Sequence, residues 1–490
     1  MKKNFLLLLF LASLFSFNAC SDDSNITEED PTAEEKEQTE EERIDFEVKN
    51  FIYRGLNDIY LYKADVPELA DDYFTNDKAK TDFLNNFSTP ESLFENLLSS
   101  QDRFSFITDD YEELENQFDG ISGATGMEFG LGVIRGTNDV FGYIQYILPG
   151  TSAEEEGLSR GTIFTEVDGE QLTTSNYTEL LSKDAFTINT GYVEDGVIHM
   201  TDNTANLTDD YYTMNPVFIN KVIELNGKKI GYLMYNSFIA NFDKELNTAF
   251  GEFKSAGITD LVLDLRYNGG GSVTTATDLA SMITGQFEGQ VFAQEQWNED
   301  YQKYYEENFP DYLINEFDTE LSTGEIINSL NLKEVYILTT VSTASASELI
   351  INGLDPYINV VQIGETTTGK FQASITLYDS PTFSEKNRND EHTYAMQPLV
   401  LKIANKNGYT NFVDGLIPDI QIEEDLGNLG ILGDPEEPFL SRALDEILGR
   451  SQIQTKRIQE NKIDFAKIGE GNMFKPTYQK MYIDKTPLSK

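Results

Sequence analysis

Leu261-Val262-Leu263-Asp264-Leu265 runs through Arg266-Tyr267-Asn268 into Gly269-Gly270-Gly271-Ser272. The first five residues lack the polar alternation of a strand with one wet face. They read as a strand buried on both sides, the kind found in parallel sheets covered by helices. The glycine turn leads into a helix around Ala276–Ile283. The same pattern recurs outward. Ile230–Tyr235 reads as a strand and Asp243–Ala256 as a helix; Val335–Thr339 is another strand, followed by a helix from about Ala344 to Leu354, and Val360–Gly364 a further strand. Such alternation defines an α/β layered domain. Residues 285–330 interrupt it with an acidic, aromatic insertion carrying the sole tryptophan, Trp297. An insertion that large beside a layered core reads as a lid.

Composition narrows the function. The 490 residues include 36 basic and 84 acidic side chains, a formal net charge of −48. That charge repels phosphate backbones, so nucleic acid is not the partner. A single cysteine, Cys20, excludes disulfide frameworks and thiolate zinc sites. Two histidines, His199 and His392, leave little room for histidine-based chemistry, so neither a metal nor a cofactor is expected. With 39% hydrophobic residues the chain can still bury substantial cores.

Upstream of the layered core, Phe46, Val48, Phe51, Ile52, Leu56, Ile59 and Tyr60 fall at helical spacing, which predicts one buried helix face. Thr89-Pro90 predicts a second helix start, with Thr89 capping. From Gly126 the texture turns to short β-rich runs. The ordered series Gly130-Leu131-Gly132, "PGTSAEEEGL" (149–158) and "GTIFTEVDGE" (161–170), with a helix after it, resembles a PDZ domain. In such a domain a peptide adds as a strand, and Gly130, Leu131 and Gly132 would be the loop holding its carboxylate.

The N-terminus reads as an address. Met1-Lys2-Lys3 precedes an apolar run from Phe5 to Phe17, too short to span a bilayer and suited to a signal peptide. Phe17-Asn18-Ala19-Cys20 resembles a bacterial lipoprotein signal, which implies lipid on Cys20. Ser21-Asp22-Asp23 resembles the surface-export signal of Bacteroidetes lipoproteins. Residues 21–44 carry 11 acidic and 2 basic side chains and read as a solvated tether. The last 41 residues reverse this, with 9 basic and 4 acidic, and read as a tail docked on the acidic body.

Two stretches carry chemistry. Gly364–Lys370 fits the first seven positions of a phosphate-binding loop, but Phe371 stands where Ser or Thr should hold magnesium, and a strand follows instead of a helix. Lys370 therefore needs another reading. "VSTASASEL" (341–349) sets Ser345 among small residues where a buried strand meets a helix, and a helix N-terminus favours developing negative charge. A serine there needs a base. A lysine serves if burial disfavours its ammonium enough to make it neutral.

"DLRYNGGGS", "TASASEL", "GETTTGK" and "DGLIPDI", in this order after a PDZ-like segment, resemble the carboxyl-terminal processing (tail-specific) serine proteases. The resemblance covers roughly residues 120–445. It implies a ClpP/crotonase-like core with a Ser–Lys dyad: Ser345 as nucleophile, Lys370 as general base, and an oxyanion hole from amides of Ala346 and Gly269-Gly270-Gly271. Many members place Gln or Glu four residues after the lysine to orient it. Here that position is Ser374, while Gln372 sits two residues on. Both share the lysine's strand face, and either could orient it. Asp264, Arg266 and Asn268 read as supports. Glu348 reads equally as a helix-terminus charge or a member of the site.

The expected fold is α/β and α+β multidomain, with a signal peptide (1–20), an acidic linker (21–44), a helical domain (45–118), a PDZ-like domain (119–212), a protease core (213–448) and a basic tail (449–490). The expected function is a serine endopeptidase acting on extracytoplasmic proteins from the outer membrane, periplasmic or surface-exposed, with a protein or peptide as substrate. A catalytically silent peptide-binding surface lipoprotein is the alternative. A glycan-capturing lipoprotein, suggested by exposed aromatics such as Trp297, is a third.

Overall fold

The computed structural model describes residues 39–450 and 462–483. The expected signal peptide, Cys20 and most of the expected acidic linker lie outside the described residues, as do 451–461 and 484–490 of the tail.

The layered core forms as its strand pattern demands. Six strands line up in the order Val217–Leu225, Lys228–Tyr235, Asp260–Asp264, Glu334–Thr339, Asn359–Gly364 and Ile420–Gln421. All neighbours pair in parallel except the first two, which are antiparallel. Alternate residues feed two cores. Leu233, Tyr235, Leu261 and Leu263 face one, with the helices Asp243–Ala256, Val273–Ile283 and Ala346–Leu354. Tyr232, Met234, Val262 and Leu338 face the other, under the helix Pro438–Ile447. Burial on both faces is why the 261–265 run shows no alternation.

A second six-stranded sheet runs Gly271–Ser272, Met481–Tyr482, Gln372–Ser374, Leu399–Asn405, Val291–Trp297 and Ile314–Glu316. Here the expected lid is corrected. Strand Val291–Trp297, from the 285–330 insertion, pairs with Leu399–Asn405 from Ala293↔Asn405 to Trp297↔Leu401. Trp297 is buried, packs tilted against Tyr301 and edge-on against Tyr305, and donates its indole N–H to Glu295 Oε2 at 3.2 Å. Phe292, Trp297, Tyr301, Tyr305 and Phe317 of the insertion are core, while Phe309 is exposed, and the glycan reading loses its exposed tryptophan.

The N-terminal helix Glu40–Ile59 buries Val48, Phe51, Ile52, Leu56 and Ile59 along one face. Thr89 caps the helix Pro90–Asn96, its Oγ1 accepting from the Ser92 N–H at 3.2 Å.

The β-rich segment forms a further sheet from Met127–Ile134, Val140–Ile147, Ile163–Phe164, Ala185–Glu194, Glu166–Val167 and Glu170–Gln171, with Val197–Thr208 paired beside it. Gly130, Leu131 and Gly132 are not a loop. They lie within Met127–Ile134, paired to Tyr143, Gly142 and Phe141 on one side and to the tail strand Phe465–Glu470 on the other. The glycines make room for rings: a Cβ on Gly130 would stand 2.2 Å from Tyr143 Cζ, and one on Gly132 2.6 Å from the Phe465 ring. Among the described residues no helix is long and apolar enough to cross a membrane.

Candidate active site

Ser345 sits at the start of the helix Ala346–Leu354, fully buried, with φ +67° and ψ −117°. A serine held there costs on the order of 1–3 kcal/mol, so its surroundings must impose the turn. Asn268 does much of this. Its carbonyl accepts from the Ala344 N–H and the Ser347 hydroxyl, both at 3.1 Å. Its side chain accepts from the Gly270 N–H at 2.8 Å and donates to the Tyr235 carbonyl at 2.8 Å. One asparagine thus ties the glycine turn, the strand and the serine's turn together.

Glu348 ties the serine to the lysine. One carboxylate oxygen, Oε2, accepts from the Ser345 N–H at 2.7 Å and the Lys370 N–H at 2.8 Å. The other, Oε1, accepts from the Gly369 N–H at 2.7 Å and the Thr367 hydroxyl at 2.5 Å. Burial raises this carboxyl above its usual range, and the four donors pull it back. The GETTTGK stretch is held in turn by DGLIPDI. Thr367 donates to the Leu416 carbonyl at 3.2 Å, and glycine is required at both crossing points: a Cβ on Gly369 would lie 2.4 Å from the Val413 oxygen, and one on Gly415 2.1 Å from the Thr367 oxygen.

Lys370 is fully buried. Burial holds its ammonium well below the ordinary lysine range, and the charge of Lys480 pushes the same way; Asp102 and Glu348 pull against them. Its Nζ lies 5.0 Å from the centre of the Phe104 ring. Asp102 fixes that loop, accepting from the N–H groups of Phe104 and Ser105 at 2.9 Å each, while Arg103 donates to the Gly369 carbonyl at 3.0 Å. The N-terminal region therefore walls in the lysine.

Ser345 Oγ, Lys370 Nζ and Gln372 Oε1 are all buried without a hydrogen-bond partner. Buried polar groups are normally satisfied, and exceptions need a reason. Gln372 is anchored by its other end, donating to the Tyr62 hydroxyl at 2.8 Å. Ser374 is spent elsewhere: its hydroxyl lies 2.5 Å from Gln397 Oε1 and 3.2 Å from the Met481 carbonyl oxygen.

Of the expected oxyanion donors, Ala346 opens the helix, where N–H groups lack intrahelical partners. Gly270 packs against the serine, but its N–H is taken by Asn268, which removes it from the donor set. Gly269 and Gly271 flank it in the turn. Arg266 is wholly buried between Asp264 and Glu437, at 2.6 and 2.7 Å, confirming a supporting role. The sequence reading missed Tyr62, Asp102, Phe104 and Gln397, none of which lies in a motif. Only the fold brings Asp102 and Phe104 to Lys370, Tyr62 to Gln372 and Gln397 to Ser374.

Residues 229–422 match peptidase family S41, and residues 47–106 match the peptidase S41 N-terminal domain. A carboxyl-terminal-processing protease of Synechocystis is 23% identical over 68% of this chain and 71% of its own length. Another, of Picosynechococcus, is 29% identical over 35% of this chain, a stretch spanning 36% of that relative. A crystal structure assigned as an S41 protease, from Bacteroides fragilis, is 26% identical with a TM-score of 0.63, covering 82% of this chain and 98% of that one. Fold and likeness together define a serine peptidase, a hydrolase whose substrate is protein. The chain belongs to peptidase family S41, the carboxyl-terminal processing proteases.

Proposed function

We propose that the chain is an endopeptidase in which Ser345 is the nucleophile and Lys370 its general base. The observation that carries this reading is the set of orphaned atoms: a buried hydroxyl and a buried amine without partners, on backbones joined through one carboxylate. Lys370, whose ammonium form burial disfavours, takes the proton in its neutral form as Ser345 Oγ attacks a peptide carbonyl. It gives that proton to the departing amine, leaving an ester on the serine. Water then attacks the ester, with Lys370 again as base. The Ala346 N–H stabilises the oxyanion, and a donor of this kind supplies roughly 3–4 kcal/mol in the transition state.

Residues 119–212 serve as a PDZ-like peptide-binding domain. Supporting this, the strand Met127–Ile134 takes an added strand along its edge. Beside it a cavity of about 630 Å³ is lined by Met127, Phe129, Leu181 and Phe186. The protein works outside the cytoplasm, anchored by lipid on Cys20, as the N-terminal sequence suggests. Cys20→Ala should release it from the membrane fraction, and continued tight association would refute the anchor.

The test of the dyad is hydrolysis of an unfolded protein by purified chain. Ser345→Ala and Lys370→Ala should each abolish cleavage while circular dichroism stays unchanged, because members of a catalytic unit fail together. Near-wild-type cleavage by either variant would overturn the assignment, and loss in both separates an enzyme from a silent peptide binder.

A further inference from the structure

The basic tail does not simply dock on the body. Phe465–Glu470 adds antiparallel to Met127–Ile134, with Phe465 opposite Ile134, Lys467 opposite Gly132 and Glu470 opposite Gly130. Ile468, Met473 and Phe474 then pack on the core of the PDZ-like sheet. Lys467 and Glu470 both bond the hydroxyl of Ser342, three residues before Ser345. The chain next crosses to the catalytic centre. Gln479 comes against Gly269, and Met481–Tyr482 forms a strand between the glycine turn and the strand that follows Lys370. Gly271 pairs with Met481, and Tyr482 with Ser272 and Ser374, all in parallel.

One juxtaposition stands out. A Cβ on Gly270 would lie 2.6 Å from Ser345 Cβ, 3.0 Å from the Ala346 nitrogen and 2.7 Å from the carbonyl oxygen of Lys480. A tail carbonyl, the attacking residue and the first helix amide thus crowd one small volume. A scissile peptide would have to put its carbonyl there. An extended peptide gains backbone bonds by joining a sheet, and the tail has done so twice along this route, at the edge of Met127–Ile134 and between Gly271–Ser272 and Gln372–Ser374.

We propose that residues 462–483 occupy the enzyme's own substrate path, as an intramolecular pseudo-substrate that must leave before another polypeptide reaches Ser345. The proposal rests on the reading of Ser345 as nucleophile. The tail carries a lysine against the wall of the site: Lys480 is buried, with its Nζ on the Phe104 carbonyl and 4.4 Å from the centre of the Phe106 ring. The segment is also basic within a strongly acidic chain, so charge favours its return after release.

The test compares the full chain with one ended after Arg450. The shortened chain should cleave fluorescein-labelled casein with kcat/KM raised at least fivefold, mainly through KM. A synthetic peptide of residues 462–490 should inhibit it competitively. The same peptide, labelled, should bind the shortened chain carrying Ser345→Ala, a readout that needs no catalysis. A shortened chain that is folded but no faster, or that ignores the peptide, overturns the proposal. If the shortened chain does not fold, Tyr482→Asp in the full chain should give the same acceleration, and a folded Tyr482→Asp chain without it is equally decisive. Should Ser345→Ala still cleave while binding the peptide, the nucleophile is wrong and the tail's site stands.

Discussion

A single oxygen, Glu348 Oε2, accepts both the Ser345 N–H and the Lys370 N–H, at 2.7 and 2.8 Å. The turn of the proposed nucleophile and the loop of the proposed base, 25 residues apart, are therefore set by one carboxylate. Glu348→Gln keeps the size but replaces one acceptor by an NH₂ group, which must face backbone donors whichever way the amide turns. Turnover should fall about 10–100-fold, roughly 1.4–2.7 kcal/mol, with KM near wild type. A merely structural glutamate would leave the pH profile in place. Here the acid limb of kcat should move to lower pH, because the carboxylate favours the Lys370 ammonium and its removal lowers that group further.

Burial of Lys370 links both activity and stability to pH, and both should rise with it. Turnover requires the neutral amine, so it should rise with pH through a midpoint well below the ordinary lysine value of 10.5. Stability carries the cost of the buried charge. The folded chain gives up this proton at lower pH than the unfolded one. The penalty is therefore full below the folded pKa and fades as pH rises toward 10.5. Lys370→Met removes an unpartnered amine and should stabilise the inactive chain by at least about 1–3 kcal/mol near neutrality. Thermal melts across the pH range check this: the gain must shrink at alkaline pH, and a constant gain would assign it to packing alone.

Gln372, rather than Ser374, should orient the lysine. Its Oε1 is buried and unpartnered like Lys370 Nζ, whereas the Ser374 hydroxyl is engaged with Gln397 and Met481. Catalytic hydrogen bonds often tighten only when substrate binds. Gln372→Ala should therefore lower kcat about tenfold or more, roughly 1.4 kcal/mol, beyond any loss from Ser374→Ala. A larger loss in Ser374→Ala would transfer the role to the serine.

The core was legible because local pattern and tertiary demand coincide there. The helix read at Asp243–Ala256 forms with those bounds, and the strand read at Val335–Thr339 forms as Glu334–Thr339. Ser345 and Lys370 stand out as candidates because small residues and a strand–helix junction surround one, and a failed phosphate loop surrounds the other. What escaped was non-local. Phe104 meets Lys370, and Tyr62 meets Gln372, only after the helical region folds onto the core. Trp297 misled because an acidic, aromatic insertion has the composition of a lid. Nothing local tells that its strand will pair with Leu399–Asn405. Gly130 and Gly132 misled because glycine suggests a turn, when here it yields space to Tyr143 and Phe465.

Gly270 offers the sharpest check on where the chemistry happens. Its φ of +109° is strained for any other residue, and an added methyl would stand 2.6 Å from Ser345 Cβ and 3.0 Å from the Ala346 nitrogen. Neither is the end of a flexible side chain, so neither can swing aside. The serine's turn must shift instead. Gly136 supplies the control: its φ is +83°, but nothing lies within 4 Å of its missing Cβ. Gly136→Ala should cost only backbone strain, about 1 kcal/mol, and leave turnover intact. Gly270→Ala should cost on the order of 1–3 kcal/mol and lower kcat at least about 100-fold, roughly 2.7 kcal/mol in the barrier. Melting temperatures and casein hydrolysis for the two variants decide the matter. Equal losses of activity would mean that Gly270 matters only for backbone conformation, while a loss confined to Gly270→Ala places its methyl in the volume where the peptide carbonyl reacts.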